Sequence, residues 1–192
     1  MADAARLLVI VGAATPPGRL AQAMQTAAEA GKAAGAAVDV LNLAQIKVEI
    51  CDGRPLDKYD TATQSAVGLI AAAGAVLIAA PVYRASYPGV LKNLLDNAPV
   101  EALQSKPVGI VAMGGSPHHF LGVDWQLREV LTWFGALVAP TSVYLTGGDF
   151  KDGKLSSETA KGDLAALTAT LLALAKLDRV ALGPKPLAAR YT

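Results

Sequence analysis

Residues 75–96 read AVLIAAPVYRASYPGVLKNLLD, and this stretch decides the fold. Its first six residues are continuously apolar, which is typical of a strand buried on both faces of a parallel sheet. Pro81 ends the predicted strand, and a polar loop then leads into an amphipathic helix predicted over residues 87–97. A buried strand, a loop and a helix in this order form one βα unit of an α/β protein.

The same unit recurs on both sides of this stretch. Apolar runs predict strands at 6–11, 37–41, 75–80, 107–113 and 137–143. Amphipathic or alanine-rich segments predict helices at 18–34, 61–73, 87–97 and 120–134, and a last helix that is capped by Ser156 or Ser157. Five parallel strands with helices on both faces form a three-layer α/β sandwich. The flavodoxin-like strand order 2-1-3-4-5 is the first expectation, and the Rossmann order is the second.

The composition indicates one domain and excludes several classes of protein. The chain has 192 residues and is 53% hydrophobic and only 17% charged, so it can bury a sizeable core. A net charge of +1 gives no field that would attract nucleic acid or an anionic membrane. No apolar run approaches the roughly 20 residues of a membrane helix, and the single cysteine suits a reducing cytoplasm. We expect a cytoplasmic domain over residues 1–177 and an extended tail over 178–192.

Ligands of such sheets bind beyond the carboxyl ends of the strands, where three loops follow the first, third and fourth strands. The first loop, residues 12–20, leads into a helix whose free N–H groups favour an anion. Thr15 adds a hydroxyl donor, Gly18 permits close approach of the backbone, and Arg19 can pair with a phosphate. The loop lacks both the dinucleotide glycine fingerprint and the P-loop lysine. An ordinary connection with a surface arginine explains it equally well.

The second loop covers residues 81–89 and contains Tyr83, Arg84 and Tyr87. Two tyrosines so close together stand out in a chain with only 5% aromatic residues. They either cradle a flat ligand against the backbone or cover the edge of the core. Both interpretations stay open.

The third loop begins with Gly114 and Gly115, which allow a ligand to approach the backbone closely. His118 and His119 follow and raise the question of a metal. Adjacent side chains diverge, and no third ligand stands at metal-binding spacing, so we expect no metal site. The two histidines are better explained as polar loop residues near the site or at a subunit contact.

These motifs resemble a known family. The stretch over residues 81–96 is similar to the signature of NAD(P)H-dependent FMN reductases with a flavodoxin-like fold, and so is Gly114-Gly115-Ser116 followed by His119. Within this family the chain most resembles the FMN reductases of two-component alkanesulfonate monooxygenase systems, over residues 5–175. The resemblance implies hydride transfer from NADPH (or NADH) to FMN, supply of reduced flavin to a flavin-dependent monooxygenase, and a homodimer or homotetramer.

The resemblance also implies a set of FMN-binding residues. By this resemblance, the residues that bind the phosphate are Thr15, Gly18, Arg19 and Leu20. The flavin lies along Pro81, Val82, Tyr83, Arg84, Ala85 and Ser86, and its ring edge meets Gly114, Gly115 and Ser116. No side chain is implied as a catalyst, because the hydride passes between the two cofactors.

Three positions depart from the family pattern. The family usually has Gly-Ser where this chain has Gly12-Ala13, and a second serine where Gly18 stands. Two hydroxyl donors to the phosphate are therefore missing, which favours FMN as an exchanging substrate. Trp125 stands where the two-component reductases that this chain resembles carry tyrosine or histidine. In those reductases an inserted residue widens the helix into a π-bulge at the tetramer interface.

Two other functions remain as alternatives. One is a flavin-dependent reductase of quinones, azo compounds or metal ions. The other is a flavodoxin-like electron carrier without NAD(P)H chemistry, against which the nearly neutral charge argues because flavodoxins are typically acidic. The sequence does not decide whether Arg19 or Arg84 meets the 2′-phosphate of NADPH.

Overall fold

The computed structural model describes residues 5–15, 18–177 and 183–186. Its strands are β1 (Arg6–Val11), β2 (Ala37–Asn42), β3 (Ala75–Pro81), β4 (Pro107–Met113), β5 (Leu137–Val138), β6 (Val143–Leu145), β7 (Phe150–Lys151) and β8 (Lys154–Leu155). Its α-helices are α1 (Arg19–Ala33), α2 (Thr61–Ala72), α3 (Gly89–Asp96), α4 (Phe120–Trp133) and α5 (Glu158–Leu174). Every predicted helix is present, and the ends with predicted bounds agree to within two residues.

The main sheet is parallel and has the order β2-β1-β3-β4-β5, which confirms the flavodoxin-like order. Successive residues of β1 point to opposite faces, as the pleat requires. Leu8 and Ile10 pack in one core with α2, α3 and α4, whereas Leu7 and Val9 pack in a second core with α1 and α5. The fold is therefore the expected three-layer sandwich.

The prediction of a single fifth strand over 137–143 is wrong. The structure has two short strands there, because Pro140 carries no N–H to donate to β4. Pairing ends where the Ala139 N–H donates to the Val108 carbonyl at 2.8 Å. The Arg128 guanidinium of α4 donates hydrogen bonds to the carbonyls of Ala139 and Pro140 at 2.9 and 3.2 Å. The chain rejoins β4 as β6, opposite residues 111–113.

The last helix begins after Ser157, whose hydroxyl accepts the Ala160 N–H at 3.2 Å, so Ser157 rather than Ser156 is the cap. The predicted tail over 178–192 lies outside the described residues except for 183–186. There Pro186 lies directly against Gly135, at a spacing that leaves no room for a β-carbon on the glycine. In the part of the chain that is described, no helix is both long and apolar enough to cross a membrane.

Candidate functional site

A cavity of about 250 Å³ lies where the carboxyl ends of the central strands meet the start of α1. It is lined by residues that come from five elements and the loops between them, among them Ala13, Thr15, Gly18, Arg19, Leu20, Asn42, Pro81 and Met113. The four residues that the resemblance assigns to the phosphate thus lie around one cavity, together with Pro81 of the second loop. Asn42 and Met113 were not expected there.

The first turn of α1 has the electrostatic character of an anion site. Its N-cap is Gly18, which has no side chain to cap the helix. The first helical hydrogen bond runs from the Gln22 N–H to the Gly18 carbonyl, and the N–H groups of Arg19, Leu20 and Ala21 have no acceptor within the described residues. These N–H groups carry the positive end of the helix dipole. A phosphate group fits this donor set.

Arg19 adds a full positive charge at the mouth of this cavity. Its side chain is exposed and makes no ion pair with a described residue. One guanidinium nitrogen, Nη1, lies 3.0 Å from the position that a β-carbon on Gly147 would take. The guanidinium therefore rests against the turn that follows β6, near the start of the helix.

The second loop forms a tight turn in which two non-glycine residues take the left-handed conformation. Tyr83 and Ser86 exchange two backbone hydrogen bonds of 2.7 and 3.0 Å, and Arg84 and Ala85 between them have φ of 50° and 62°. Such a conformation costs on the order of 1–2 kcal/mol for each such residue. Strain of this kind persists where the surrounding structure enforces it, and it is typical of functional sites.

Gln126 of α4 holds this strained turn. The Ser86 hydroxyl donates to Gln126 Oε1 at 2.5 Å, and Gln126 Nε2 donates to the Ala85 carbonyl at 3.3 Å. Gly122 lies one helical turn earlier and lets α4 approach, since a β-carbon there would stand 3.2 Å from the Ala85 oxygen. Sequence reasoning missed Gln126. Gln126 lies four residues after Gly122 in a predicted helix, so the two residues share one helix face, but this spacing indicates only weakly that Gln126 reaches the loop.

The second and third loops lie side by side. The Val82 N–H donates to the Met113 carbonyl at 2.8 Å, and the Gly114 N–H donates to the Leu145 carbonyl at 3.0 Å. Gly114 is buried, whereas Gly115 is exposed. The N–H groups of Gly115 and Ser116 have no acceptor within the described residues. The loop thus presents two free donors at the same edge of the sheet as the cavity.

The two histidines do not form a metal cluster with other described residues. His118 and His119 are exposed, and Ser116 Oγ lies 3.2 Å from His119 Nδ1. Within the described ranges, no three side chains of histidine, cysteine, aspartate or glutamate stand close enough to share a metal ion.

The two tyrosines of the second loop differ in their surroundings. Tyr83 is 46% exposed and lines a recess of about 370 Å³ with Val82 and Arg84. Tyr87 is partly buried against the core, and this burial raises the pKa of its phenol. Tyr87 therefore covers the core edge, and Tyr83 is the ring available to a flat ligand.

Part of the sequence motif serves the fold. Asn93, near the end of the motif, accepts the Cys51 N–H at 2.9 Å and donates to the Glu49 carbonyl at 2.9 Å. These bonds attach the long loop after β2 to α3. The motif thus combines ligand-facing positions with a structural anchor, which the sequence alone does not separate.

Trp125 lies in the middle of α4. The helix is α-helical from Phe120 to Trp133, so the π-bulge of the similar two-component reductases is absent from this segment. The Trp125 side chain is 71% exposed.

Comparisons with known proteins agree with the fold and the motifs. The family model described as NADPH-dependent FMN reductase matches residues 5–150. An NAD(P)H-dependent FAD/FMN reductase of Geobacillus thermodenitrificans is 37% identical over 115 residues, which are 60% of this chain and 62% of that protein. The NADH-dependent FMN reductase SfnF of Pseudomonas fluorescens is 46% identical over 86 residues, 45% of this chain and 46% of that protein. The chain thus spans about half the length of these two relatives.

A solved structure extends the similarity to nearly the whole chain. An oxidoreductase from Corynebacterium diphtheriae has a TM-score of 0.70 and 25% identity, and the match covers 90% of this chain and 97% of that one. The resemblance inferred from the motifs is thereby confirmed. Because the family model spans β1 to β6 and the sheet has the flavodoxin-like order, the chain belongs to the NADPH-dependent FMN reductase family.

Proposed function

We propose that this protein is an NAD(P)H-dependent FMN reductase, which transfers a hydride from NADPH or NADH to FMN. The observation that carries the proposal is the set of N–H groups at the start of α1 that have no acceptor among the described residues, beside the exposed Arg19 and next to the two other loops. A donor set of this kind suits the phosphate of FMN. Family membership supports the same activity.

The proposed site follows the three loops. Thr15, Gly18, Arg19 and Leu20 would hold the phosphate at the 250 Å³ cavity. The flavin would lie along residues 81–86, with Tyr83 as the exposed aromatic surface. The N–H groups of Gly115 and Ser116, which have no acceptor in the part of the chain that is described, would donate to the ring edge beside Gly114.

The protein's own contribution is positioning and electrostatics. When bound, FMN supplies the redox chemistry, which is acceptance of a hydride from the nicotinamide ring. The strained turn at Arg84 and Ala85 fixes the backbone beside the ring before any ligand arrives. The N–H donors of the third loop favour negative charge at the ring edge. No side chain is required to take or give a proton in this scheme.

Ala13→Ser is expected to tighten FMN binding about tenfold. Ala13 is buried and lines the phosphate cavity, and the similar reductases usually carry a hydroxyl there. One added hydrogen bond to a charged group contributes about 1.5 kcal/mol, which is roughly tenfold in Kd. Quenching of flavin fluorescence measures the Kd. Ala14→Ser, in the same loop but exposed, is the control and should change the Kd less than twofold; an Ala13→Ser variant that binds no better would contradict the proposed phosphate position.

We also propose that the protein forms a homodimer or homotetramer through α4. Leu121, Trp125 and Trp133 are 45%, 71% and 57% exposed, and their spacing of four and eight residues places them along one side of the helix. A row of large exposed apolar side chains is typical of a protein interface. A second copy of this nearly neutral chain carries the same row and meets no strong charge repulsion.

Trp125→Glu is expected to reduce the molecular mass in solution, because it buries a charge in the proposed interface. Light scattering after size exclusion measures the mass against the 19.6 kDa of one chain. Val40→Glu is the control, since Val40 is 47% exposed on β2 and should leave the mass unchanged. A wild-type protein of 19.6 kDa, or an unchanged mass in the Trp125 variant, would argue against this interface.

The proposed setting is the cytoplasm, where the reduced flavin would pass to a flavin-dependent monooxygenase. Cys51 is a free thiol, which suits a reducing compartment. The two missing hydroxyls of the phosphate loop favour release of flavin to such a partner.

Oxidation of NADPH and NADH, followed at 340 nm, tests the activity. We expect little oxidation by the purified protein alone and rapid oxidation when FMN is added. A quinone or azo dye that sustains turnover without free flavin would favour the alternative reductase. No oxidation with either nucleotide in the presence of FMN would overturn the proposed function.

A further inference from the structure

Tyr144 on β6 lies directly behind the third loop, although it is 28 residues away from that loop in the sequence. It stands opposite Ala112 of β4, and its ring is partly buried against the core. Its hydroxyl donates to the Ser116 carbonyl at 2.6 Å. Burial raises the pKa of the Tyr144 phenol, so the hydroxyl stays protonated at neutral and mildly alkaline pH and remains a donor.

Gly114 packs so closely against this phenol that there is no room for a β-carbon. A β-carbon on Gly114 would overlap Tyr144 Oη and would stand 3.0 Å from Tyr144 Cζ. A β-carbon on Gly115, by contrast, would have nothing within 4 Å. The two glycines therefore differ in their surroundings. Gly114 leaves room for the tyrosine behind the loop, and Gly115 lies on the open side of the loop.

We propose that Tyr144 is a positioning residue for the flavin ring. By anchoring the Ser116 carbonyl, it holds the loop in the conformation in which the N–H groups of Gly115 and Ser116 stay unpaired within the described residues and free for the ring edge. Tyr144 makes its contact with the loop and takes no part in hydride transfer. The inference rests on the proposed FMN site.

The first experiment removes only the hydroxyl. Tyr144→Phe is expected to raise the Kd for FMN about fivefold, which corresponds to one ordinary hydrogen bond. The Ki of inorganic phosphate as a competitor of FMN should stay within twofold, because the phosphate binds at α1. A purely structural tyrosine would lower the melting temperature of the flavin-free protein and leave the ratio of these two constants unchanged.

The second experiment uses rescue to test the contact between Gly114 and the Tyr144 hydroxyl. Gly114→Ala alone is expected to raise the Kd for FMN more than tenfold, because the new methyl group overlaps Tyr144 Oη. Adding Tyr144→Phe to Gly114→Ala removes the overlapping oxygen, so the double variant should bind FMN more tightly than Gly114→Ala. Restoration to within about threefold of Tyr144→Phe supports the inference.

The outcomes separate this inference from the proposed function. A wild-type protein that does not bind FMN overturns the proposed function, and the inference with it. A wild-type protein that binds FMN, together with an unchanged Kd in Tyr144→Phe and no rescue in the double variant, overturns the role of Tyr144 alone.

Discussion

Arg19→Ala is expected to raise the Kd for FMN by about 10- to 100-fold. The guanidinium stands at the mouth of the cavity at α1, and a hydrogen bond to a charged group contributes about 1.5–3 kcal/mol. The bound phosphate would lose this partner while the helix N–H groups remain. Titration of flavin fluorescence measures the Kd.

Riboflavin and a second arginine provide the controls for this variant. Riboflavin has no phosphate, so its Kd should change less than twofold in Arg19→Ala. Arg6→Ala should change neither Kd, because Arg6 lies at the opposite end of β1, where it pairs with Asp39 at 3.1 Å. Equal losses for FMN and riboflavin would mean that Arg19 does not contact the phosphate.

Gly12→Val is expected to lower the free energy of unfolding by about 2–3 kcal/mol, as overpacking does in a dense core. Gly12 directly follows β1, and its N–H donates to the Ala79 carbonyl at 2.7 Å. A β-carbon there would stand 3.0 Å from the Ala79 oxygen and 3.0 Å from Leu91 Cδ2. The backbone oxygen cannot yield without loss of the hydrogen bond between β1 and β3. Urea denaturation of the flavin-free protein measures the change.

Gly68→Ala is the matched control for this stability prediction. Gly68 lies in α2, is exposed, and would have nothing within 4 Å of an added β-carbon. Alanine is favoured over glycine in a helix by roughly 0.5–1 kcal/mol, so this variant should be stabilised. If Gly12→Val is as stable as the wild type, the packing described around β1 and α3 is wrong.

The central part of the fold follows from local patterns. Continuous apolar runs predict β1, β3 and β4 because strands buried on both faces need apolar residues throughout. The fifth strand could not be placed from its apolar run, since that run includes Pro140. Where pairing with β4 stops and resumes depends on the missing proline N–H and on Arg128, a partner from another element.

The candidate site also contains residues that the sequence predicts and residues that it does not. The loops were identified because parallel strands place their carboxyl ends at one edge, and this rule also extends to Asn42 at the end of β2. Gln126 and Tyr144 were missed because they lie on other elements and reach the loops only through packing. The left-handed turn was missed because Arg84 and Ala85 are not residues that favour positive φ.

A crystal structure of the protein with FMN tests the central claim most directly. We expect the phosphate oxygens at about 2.7–3.2 Å from the N–H groups at the start of α1, with the Arg19 guanidinium beside them and the flavin ring along residues 81–86 and 114–116. Flavin bound elsewhere, for example in the groove of about 430 Å³ between α3 and α4, with no phosphate at α1, would contradict the account.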